Sequence, residues 1–196
     1  MYHSAPNYYG LVCAQIGAHL HLQARFDAED LLRMIEELRV THLHMVPIMF
    51  NRLLKLPEDV RRGYDLSSLK FVVHAAAPCP APIKRAMIEW WGPVINEYYG
   101  STETGAVVFC DSAQWLAHPG TVGKAMPGAD VRVIDSEGRS LPADEIGEVV
   151  ARWPALADFT YHGDHEIYWD TEEPIWVAVW FCKKHAGKSS RWDYPE

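Results

Sequence analysis

Strand-like and helix-like segments alternate along the first hundred residues, and this alternation restricts the fold more than any other feature. Short apolar runs precede amphipathic runs such as Leu31, Ile35 and Leu38, which share one helix face after a candidate N-cap at Asp27. Strand–helix–strand alternation places the strands side by side in a mostly parallel sheet. The sequence therefore predicts an α/β fold of βαβ type. The predicted strands are 19–23, 41–46, 69–74 and 94–98, and the predicted helices are 28–38, 47–56 and 81–91.

The pattern changes after Thr121. Gly, Pro and Asp there interrupt short strand-like runs at 131–134 and 148–151, with a turn predicted at 136–139. We expect a β-rich subdomain in this part of the chain. The expected divisions are an α/β subdomain at 1–112, a β-rich subdomain at 113–161 and a divergent tail at 162–196.

Composition limits the class of protein. Lys and Arg number 18 against 26 Asp and Glu, a formal net charge of -8, which speaks against nucleic acid as a partner. We expect no leader peptide and no transmembrane segment, because no apolar run has the required length or flanks. The four cysteines are scattered, which favours reduced thiols over disulfides or a zinc site. These features predict a soluble cytoplasmic protein and leave its oligomeric state open.

Residues 96–105 read Asn-Glu-Tyr-Tyr-Gly-Ser-Thr-Glu-Thr-Gly and combine aromatic rings, a flexible turn, hydroxyls and carboxylates. The turn is predicted at 100–102, directly after a strand, where open α/β sheets bind ligands. A ring can cover an adenine face, a hydroxyl can donate to a phosphate, and a carboxylate suits Mg²⁺. The set fits ATP with its metal, although turn residues alone are equally compatible with an ordinary surface loop.

The run Tyr-Gly-Ser-Thr-Glu at 99–103 resembles the Tyr-Gly-x-Thr-Glu motif of the adenylate-forming superfamily, which includes the AMP-forming acyl-CoA synthetases. Five further stretches follow that family's order within residues 1–161, and six motifs in order make the resemblance specific. The five are His-Ser-Ala-Pro at 3–6, Val-Pro-Ile-Met-Phe-Asn-Arg-Leu-Leu at 46–54, Ala-Ala-Ala-Pro at 75–78, Pro-Gly-Thr-Val-Gly-Lys at 119–124 with Pro-Gly at 127–128, and Gly-Glu-Val at 147–149.

The resemblance implies a truncated large domain of an adenylating enzyme that uses ATP, forms AMP and requires Mg²⁺. Tyr99 would stack on adenine, and the backbone at 75–77 would line the other side of the base. Thr102 would contact the α-phosphate and Glu103 would hold Mg²⁺. The implied nucleotide-binding residues are Ala75, Ala76, Ala77, Tyr99, Gly100, Ser101 and Thr102, and the implied catalytic residues are Thr102, Glu103 and His3.

The resemblance also implies a carboxylic acid substrate and coenzyme A. His3 would lie near the acyl carboxylate, and Tyr98 and Gly105 would border the acyl pocket with it. Many relatives have Gly at the position of Tyr98, so the size of the pocket stays open. An adenylating enzyme that does not use coenzyme A, such as a peptide-synthetase module or a luciferase-like oxygenase, is one alternative, and a non-catalytic or misfolded remnant is another.

Parts of the family pattern have no counterpart within these 196 residues. They are the glycine-rich loop that grips the outer phosphates, the ribose-binding carboxylate and the small domain with a catalytic lysine. Asp164, in His-Gly-Asp at 162–164, is a candidate for the ribose ligand, but it follows Gly147 at a shorter spacing than the family has. A surface turn is the competing interpretation. We expect negligible turnover by these residues alone. Residues 166–196 match no family segment, and a shifted reading frame or a foreign tail is our hypothesis for them.

Overall fold

The computed structural model describes residues 3–102 and 104–153, together with the backbone of three short strands at 160–162, 166–168 and 177–179. The chain divides into two compact units, Met1–Lys124 and Ala125–Glu196. No helix within these described residues is long and apolar enough to cross a membrane.

The first unit is built on a five-stranded sheet with the order β1-β2-β3-β4-β5. Strands β1, β2 and β3 are parallel neighbours, and β4 returns antiparallel to β3. The predicted α/β fold with a mostly parallel sheet is therefore confirmed. The elements are α1 Ser4–Gln15, α2 Ala28–Leu38, β1 His42–Met45, α3 Pro47–Leu54, α4 Glu58–Arg62, β2 Phe71–His74, α5 Ala81–Trp91, β3 Ile95–Ser101, β4 Gly105–Cys110, α6 Ser112–Ala117 and β5 Lys124–Ala125.

The second unit contains antiparallel strands. Strand β7 lies between β6 and β10, and β8 pairs with β9. The prediction of a β-rich part after the α/β part is confirmed. The strands are β6 Asp130–Ile134, β7 Glu148–Arg152, β8 Thr160–His162, β9 Glu166–Tyr168 and β10 Val177–Val179.

Helix α2 has the bounds that its sequence predicts, because both ends carry a local signal. The Asp27 side chain accepts a hydrogen bond from the backbone N–H of Asp30 at 2.9 Å, which satisfies one free donor of the first turn. The helix ends at Arg39, whose φ of 52° lies in the left-handed region. Its apolar face is buried through Leu31, Leu32 and Ile35.

The main core of the first unit lies between one face of the sheet and helices α2, α3 and α5. Alternate strand residues point to this face, and the helices cover them with large apolar side chains. The opposite face meets α1, where the Tyr9 ring lies 5.4 Å from the His44 ring. Helix α1 buries only Gly10 among its residues. The core includes Leu32, Ile35, Met45, Phe50, Leu53, Val72, Met87, Trp91, Ile95 and Trp115.

Two predictions about local structure are wrong. Residues 19–23 form no strand, although His19, Leu20, His21 and Leu22 alternate, because no neighbouring strand pairs with them and Leu22 stays 65% exposed. The turn predicted at 100–102 begins later, because β3 continues through Ser101. Antiparallel pairing with β4 extends β3 through Ser101 and so moves the turn to residues 102–104.

We predict that Asp27→Ala lowers the free energy of unfolding by about 1 kcal/mol, because the first turn of α2 loses its side-chain acceptor. Asp27→Asn keeps an oxygen acceptor and should stay within a few tenths of a kcal/mol of the unaltered chain. Urea unfolding followed by circular dichroism measures both values. Equal losses in the two variants would contradict the capping role.

Candidate functional site

Two segments predicted to bind nucleotide lie at the same edge of the sheet. Residues 75–77 follow the carboxyl end of β2, and residues 99–102 lie at the carboxyl end of β3. The two strands are parallel neighbours, and His74 is paired with Glu97. His74 directly precedes residues 75–77, and Glu97 lies two residues before Tyr99. Carboxyl ends of adjacent parallel strands form the crevice where open α/β sheets bind ligands.

The loop after β2 has an unusual backbone at its centre. Ala76 has a φ of 73°, in the left-handed region that favours glycine. Ala75 is buried, whereas Ala76 and Ala77 are exposed. Backbone held in this region costs about 1–3 kcal/mol and is concentrated at ligand sites. The small side chains leave the loop backbone accessible to a flat ligand.

Ser101 and Thr104 close the turn between β3 and β4. The Thr104 hydroxyl accepts the backbone N–H of Ser101 at 3.0 Å, and the Ser101 hydroxyl accepts the backbone N–H of Thr104 at 3.1 Å. Thr104 is buried, whereas Thr102 inside the turn is exposed. The two reciprocal bonds fix the ends of the turn and leave the Thr102 side chain at the surface.

Gly100 is required by the close approach of β3 and β4. A Cβ at this position would lie 1.7 Å from the carbonyl oxygen of Gly105, which is backbone and has no freedom to move aside. The register of the two strands shifts between Tyr99 and Gly100, so the crowding lies at a bulge. The geometry of this turn thus depends on the absence of a side chain at Gly100.

The amino-terminal segment meets the turn. The Ser4 hydroxyl lies 3.1 Å from the Thr102 hydroxyl, although 98 positions separate the two residues. His3 is exposed and precedes α1 as its N-cap. The structure therefore brings the predicted His-containing segment to the predicted phosphate-contacting residue.

Tyr98 and Tyr99 point to opposite faces of the sheet, as successive strand residues do. The Tyr98 hydroxyl lies 3.1 Å from the Nε2 of His44, whose ring also contacts the Tyr9 ring. Burial raises the pKa of Tyr98 and lowers the pKa of His44, so both groups are held in their neutral forms. Tyr99 is half-buried on the other face, and burial raises its pKa as well. The Tyr98 ring therefore lies on the face of the sheet that meets α1, and the Tyr99 ring lies on the opposite face.

A sequence profile of the family described as AMP-binding enzyme matches residues 1–159. The chain belongs to the AMP-binding enzyme family. A named relative is a "probable CoA ligase" of Humulus lupulus, 32% identical over 143 residues, which cover 71% of this chain and 26% of that protein. The luciferin 4-monooxygenase of Photinus pyralis is 26% identical over 186 residues, covering 86% of this chain and 33% of that protein. The chain thus spans about a quarter to a third of the length of these relatives.

Solved structures share the fold of this member of the AMP-binding enzyme family. The amide bond synthetase of Marinactinospora thermotolerans superposes with a TM-score of 0.62 at 30% identity, over 68% of this chain and 27% of that one. The match agrees with the predicted fold class.

Three further residues shape the site, although the sequence motifs give them no role. Thr104 closes the turn, Ser4 contacts Thr102, and His44 holds Tyr98. The Ser-x-x-Thr spacing at 101–104 is a signal for such a turn, whereas the other two contacts join distant segments and have none. Glu103, the predicted Mg²⁺ ligand, lies outside the described residues, and so does Asp164, for which a ribose ligand and a surface turn are the competing interpretations.

Within the residues that the structure describes, no three His, Cys, Asp or Glu side chains cluster closely enough to hold a metal ion. A magnesium ion bound through one carboxylate, as expected for Glu103, would also need ligand oxygens from the nucleotide. Mg²⁺ commonly binds in that way, through one or two carboxylates and the phosphates of its substrate.

We predict opposite effects for two glycine substitutions in the loop after β2. Ala76→Gly should leave the free energy of unfolding unchanged or raise it by up to about 1 kcal/mol, because it relieves the left-handed backbone. Ala77→Gly, at a position without positive φ, should lower it by about 0.5–1 kcal/mol through chain entropy. Denaturant unfolding of the two variants tests the difference. Equal losses would contradict strain at Ala76.

We predict that Gly100→Ala opens the turn between β3 and β4, because the new methyl group overlaps the Gly105 carbonyl oxygen. The free energy of unfolding should fall by about 2 kcal/mol or more, as for other overpacked sites. Gly138→Ala is a matched control with open space around its Cβ, where only the cost of positive φ applies. Differential scanning calorimetry measures both, and a larger loss at Gly138 would contradict the steric argument.

Proposed function

We propose that the chain supplies the adenylate-binding part of an AMP-forming acid–CoA ligase. Such an enzyme activates a carboxylic acid with ATP and then transfers the acyl group to coenzyme A. The proposal rests chiefly on one observation, the convergence of residues 75–77 and 99–102 at the carboxyl ends of two parallel strands. Family membership and the name of the Humulus lupulus relative support it.

The adenine would lie between the loop after β2 and the ring of Tyr99. Small side chains at 75–77 allow a flat base to approach the loop backbone, and the left-handed Ala76 turns that backbone outward. Tyr99 supplies an aromatic face at the end of β3. Stacking on such a ring is typically worth about 1–3 kcal/mol per base.

The α-phosphate would contact the turn between β3 and β4. Thr102 presents an exposed hydroxyl beside that of Ser4, so two hydroxyl groups are available to phosphate or carboxylate oxygens. Mg²⁺ bound through Glu103 would offset charge on the phosphate oxygens. His3, next to Ser4, would donate to or orient the carboxylate of the acid.

The proposed reaction has two displacements. A substrate carboxylate oxygen attacks the α-phosphorus of ATP, the bond to the bridging oxygen breaks, and pyrophosphate leaves with that electron pair. The sulfur of coenzyme A then attacks the acyl carbonyl, and AMP leaves as the thioester forms. Thr102 and His3 would serve the first step by placing the α-phosphate and the carboxylate next to one another.

The acyl group would extend toward the face of the sheet that carries Tyr98 and Gly105. The Tyr98 ring is held there by His44, and Tyr9 contacts His44 from α1. An aromatic ring fixed in this position would narrow the acyl pocket compared with relatives that carry glycine.

A second candidate is an adenylating enzyme with a different acyl acceptor. Similarity to an amide bond synthetase and to luciferin 4-monooxygenase favours this alternative, because neither name refers to coenzyme A. Both candidates share the adenylate site, and they differ in the acceptor that reaches it. Coenzyme A is our preferred acceptor because of the Humulus lupulus relative.

We predict that the chain binds AMP in the presence of Mg²⁺ and that Tyr99→Ala weakens this binding by about 1–3 kcal/mol, through loss of stacking. Tyr99→Phe keeps the ring and should bind within about a factor of three of the unaltered chain. Isothermal titration calorimetry measures the affinities, and circular dichroism establishes that each variant is folded.

Binding that is lost with the ring and kept in Tyr99→Phe would support the adenine position. No AMP binding by the folded, unaltered chain would overturn the proposed adenylate site. Equal affinity of all three proteins would place the nucleotide elsewhere.

A further inference from the structure

A buried ion pair lies directly beneath the candidate site. The Nζ of Lys84 on α5 lies 2.5 Å from Oε2 of Glu97 on β3. The Lys84 side chain is fully buried and that of Glu97 is 10% exposed. An ammonium group and a carboxylate removed from water in this way carry a desolvation cost of several kcal/mol each, which their attraction offsets only when the geometry is good.

Beside the ion pair lie a neutral histidine and a tryptophan ring, which offset only a small part of the cost of burying two charges. Nε2 of His74 lies 3.7 Å from the same Glu97 oxygen, and burial together with the Lys84 charge lowers the pKa of His74 to about 3, so the imidazole is neutral. The Lys84 ammonium lies 5.3 Å from the Trp115 ring, a favourable cation–π distance. Lys84 and Glu97 are thus each other's charged partner, with the neutral His74 imidazole and the Trp115 ring beside them.

The pair joins the elements that carry the two nucleotide segments. Glu97 stands two residues before Tyr99 on the same face of β3, and it is paired across the sheet with His74, the residue before Ala75. Lys84 anchors this junction to α5, which follows the loop of residues 75–77 in the chain. The Lys84–Glu97 contact therefore lies next to both sides of the proposed adenine site, the Tyr99 ring and the loop of residues 75–77.

We infer that Lys84 and Glu97 are positioning residues, which fix the Tyr99 ring against the loop of residues 75–77 and so set the width of the adenine cleft. This inference rests on the proposed function. A buried ion pair is weak evidence for stability, since well-packed apolar residues can often replace it without loss. Its directional hydrogen bond fixes the relative placement of α5 and β3 in a way that apolar contacts do not.

Stability and positioning can be separated by replacing both charges together. Lys84→Met with Glu97→Leu removes the ion pair and leaves apolar side chains of similar size, so the fold should be retained. AMP affinity should nevertheless fall about tenfold, because the cleft loses its fixed width. Lys84→Met alone removes the donor of this hydrogen bond and provides a second variant, which should weaken AMP binding if the double variant does not fold. The Glu97 carboxyl that remains can take up a proton and become neutral, because burial raises its pKa.

The experiment is calorimetric titration of the 196-residue chain with AMP and Mg²⁺, at a temperature where circular dichroism shows each protein folded. Leu32→Ala is the matched control, because Leu32 is fully buried on α2 in the core and its truncation should cost about 2–5 kcal/mol of stability. AMP affinity of this control should be unchanged. The double substitution is also made in the Tyr99→Ala background, where it should add less than a further factor of two, because the ring that it positions is gone.

Loss of AMP affinity in the double variant and in Lys84→Met, with the control unaffected and with coupling to Tyr99, is the expected result. Unchanged affinity in either folded variant would overturn the positioning role and leave the adenylate site standing. Full additivity with Tyr99→Ala would also overturn it. Failure of the folded, unaltered chain to bind AMP would overturn the proposed function and this inference with it.

Discussion

Parallel pairing of β2 and β3 is the constraint on which the rest of the first unit depends. The pairing sets His74 beside Glu97, so the segments that follow both residues begin at one edge of the sheet. Helices α3 and α5 pack together over the same face and cover the strands with apolar side chains. If β3 slipped by one residue, Glu97 would turn away from Lys84 and Tyr99 would change faces, because side chains alternate along a strand.

Local signals account for the elements that the sequence predicts well. Helix α2 begins after the Asp27 cap, and its apolar residues recur at helical spacing. Helix α5 starts next to proline and stops at Gly92, which has a φ of 85°. Signals of this kind depend on a few adjacent residues, so they can be read from one sequence. Strands β1, β2 and β3 are likewise predicted by short apolar runs between the helices.

Contacts between distant segments account for what the sequence alone does not predict. Alternation at 19–23 resembles a strand, yet a strand needs a partner, and none of the described strands pairs with it. The hairpin of β3 and β4 is by contrast local, and the Ser-x-x-Thr spacing at 101–104 indicates its turn without fixing where β3 ends. The approach of Ser4 to Thr102 spans most of the first unit. Lys84 likewise looks like an ordinary surface lysine in the sequence, and only its place on α5 opposite Glu97 makes it a buried ion.

Three costly features of the first unit lie around the edge of the sheet that carries the candidate site. The left-handed Ala76, the crowded Gly100 and the buried Lys84–Glu97 pair all lie at or directly beneath it. The core between the sheet and α2, by contrast, follows ordinary helix and strand patterns. Sites that must hold a ligand in one geometry commonly carry such local costs, while the surrounding scaffold supplies the stability that sustains them. These three costs thus lie at the edge of the sheet that the sequence motifs also indicate.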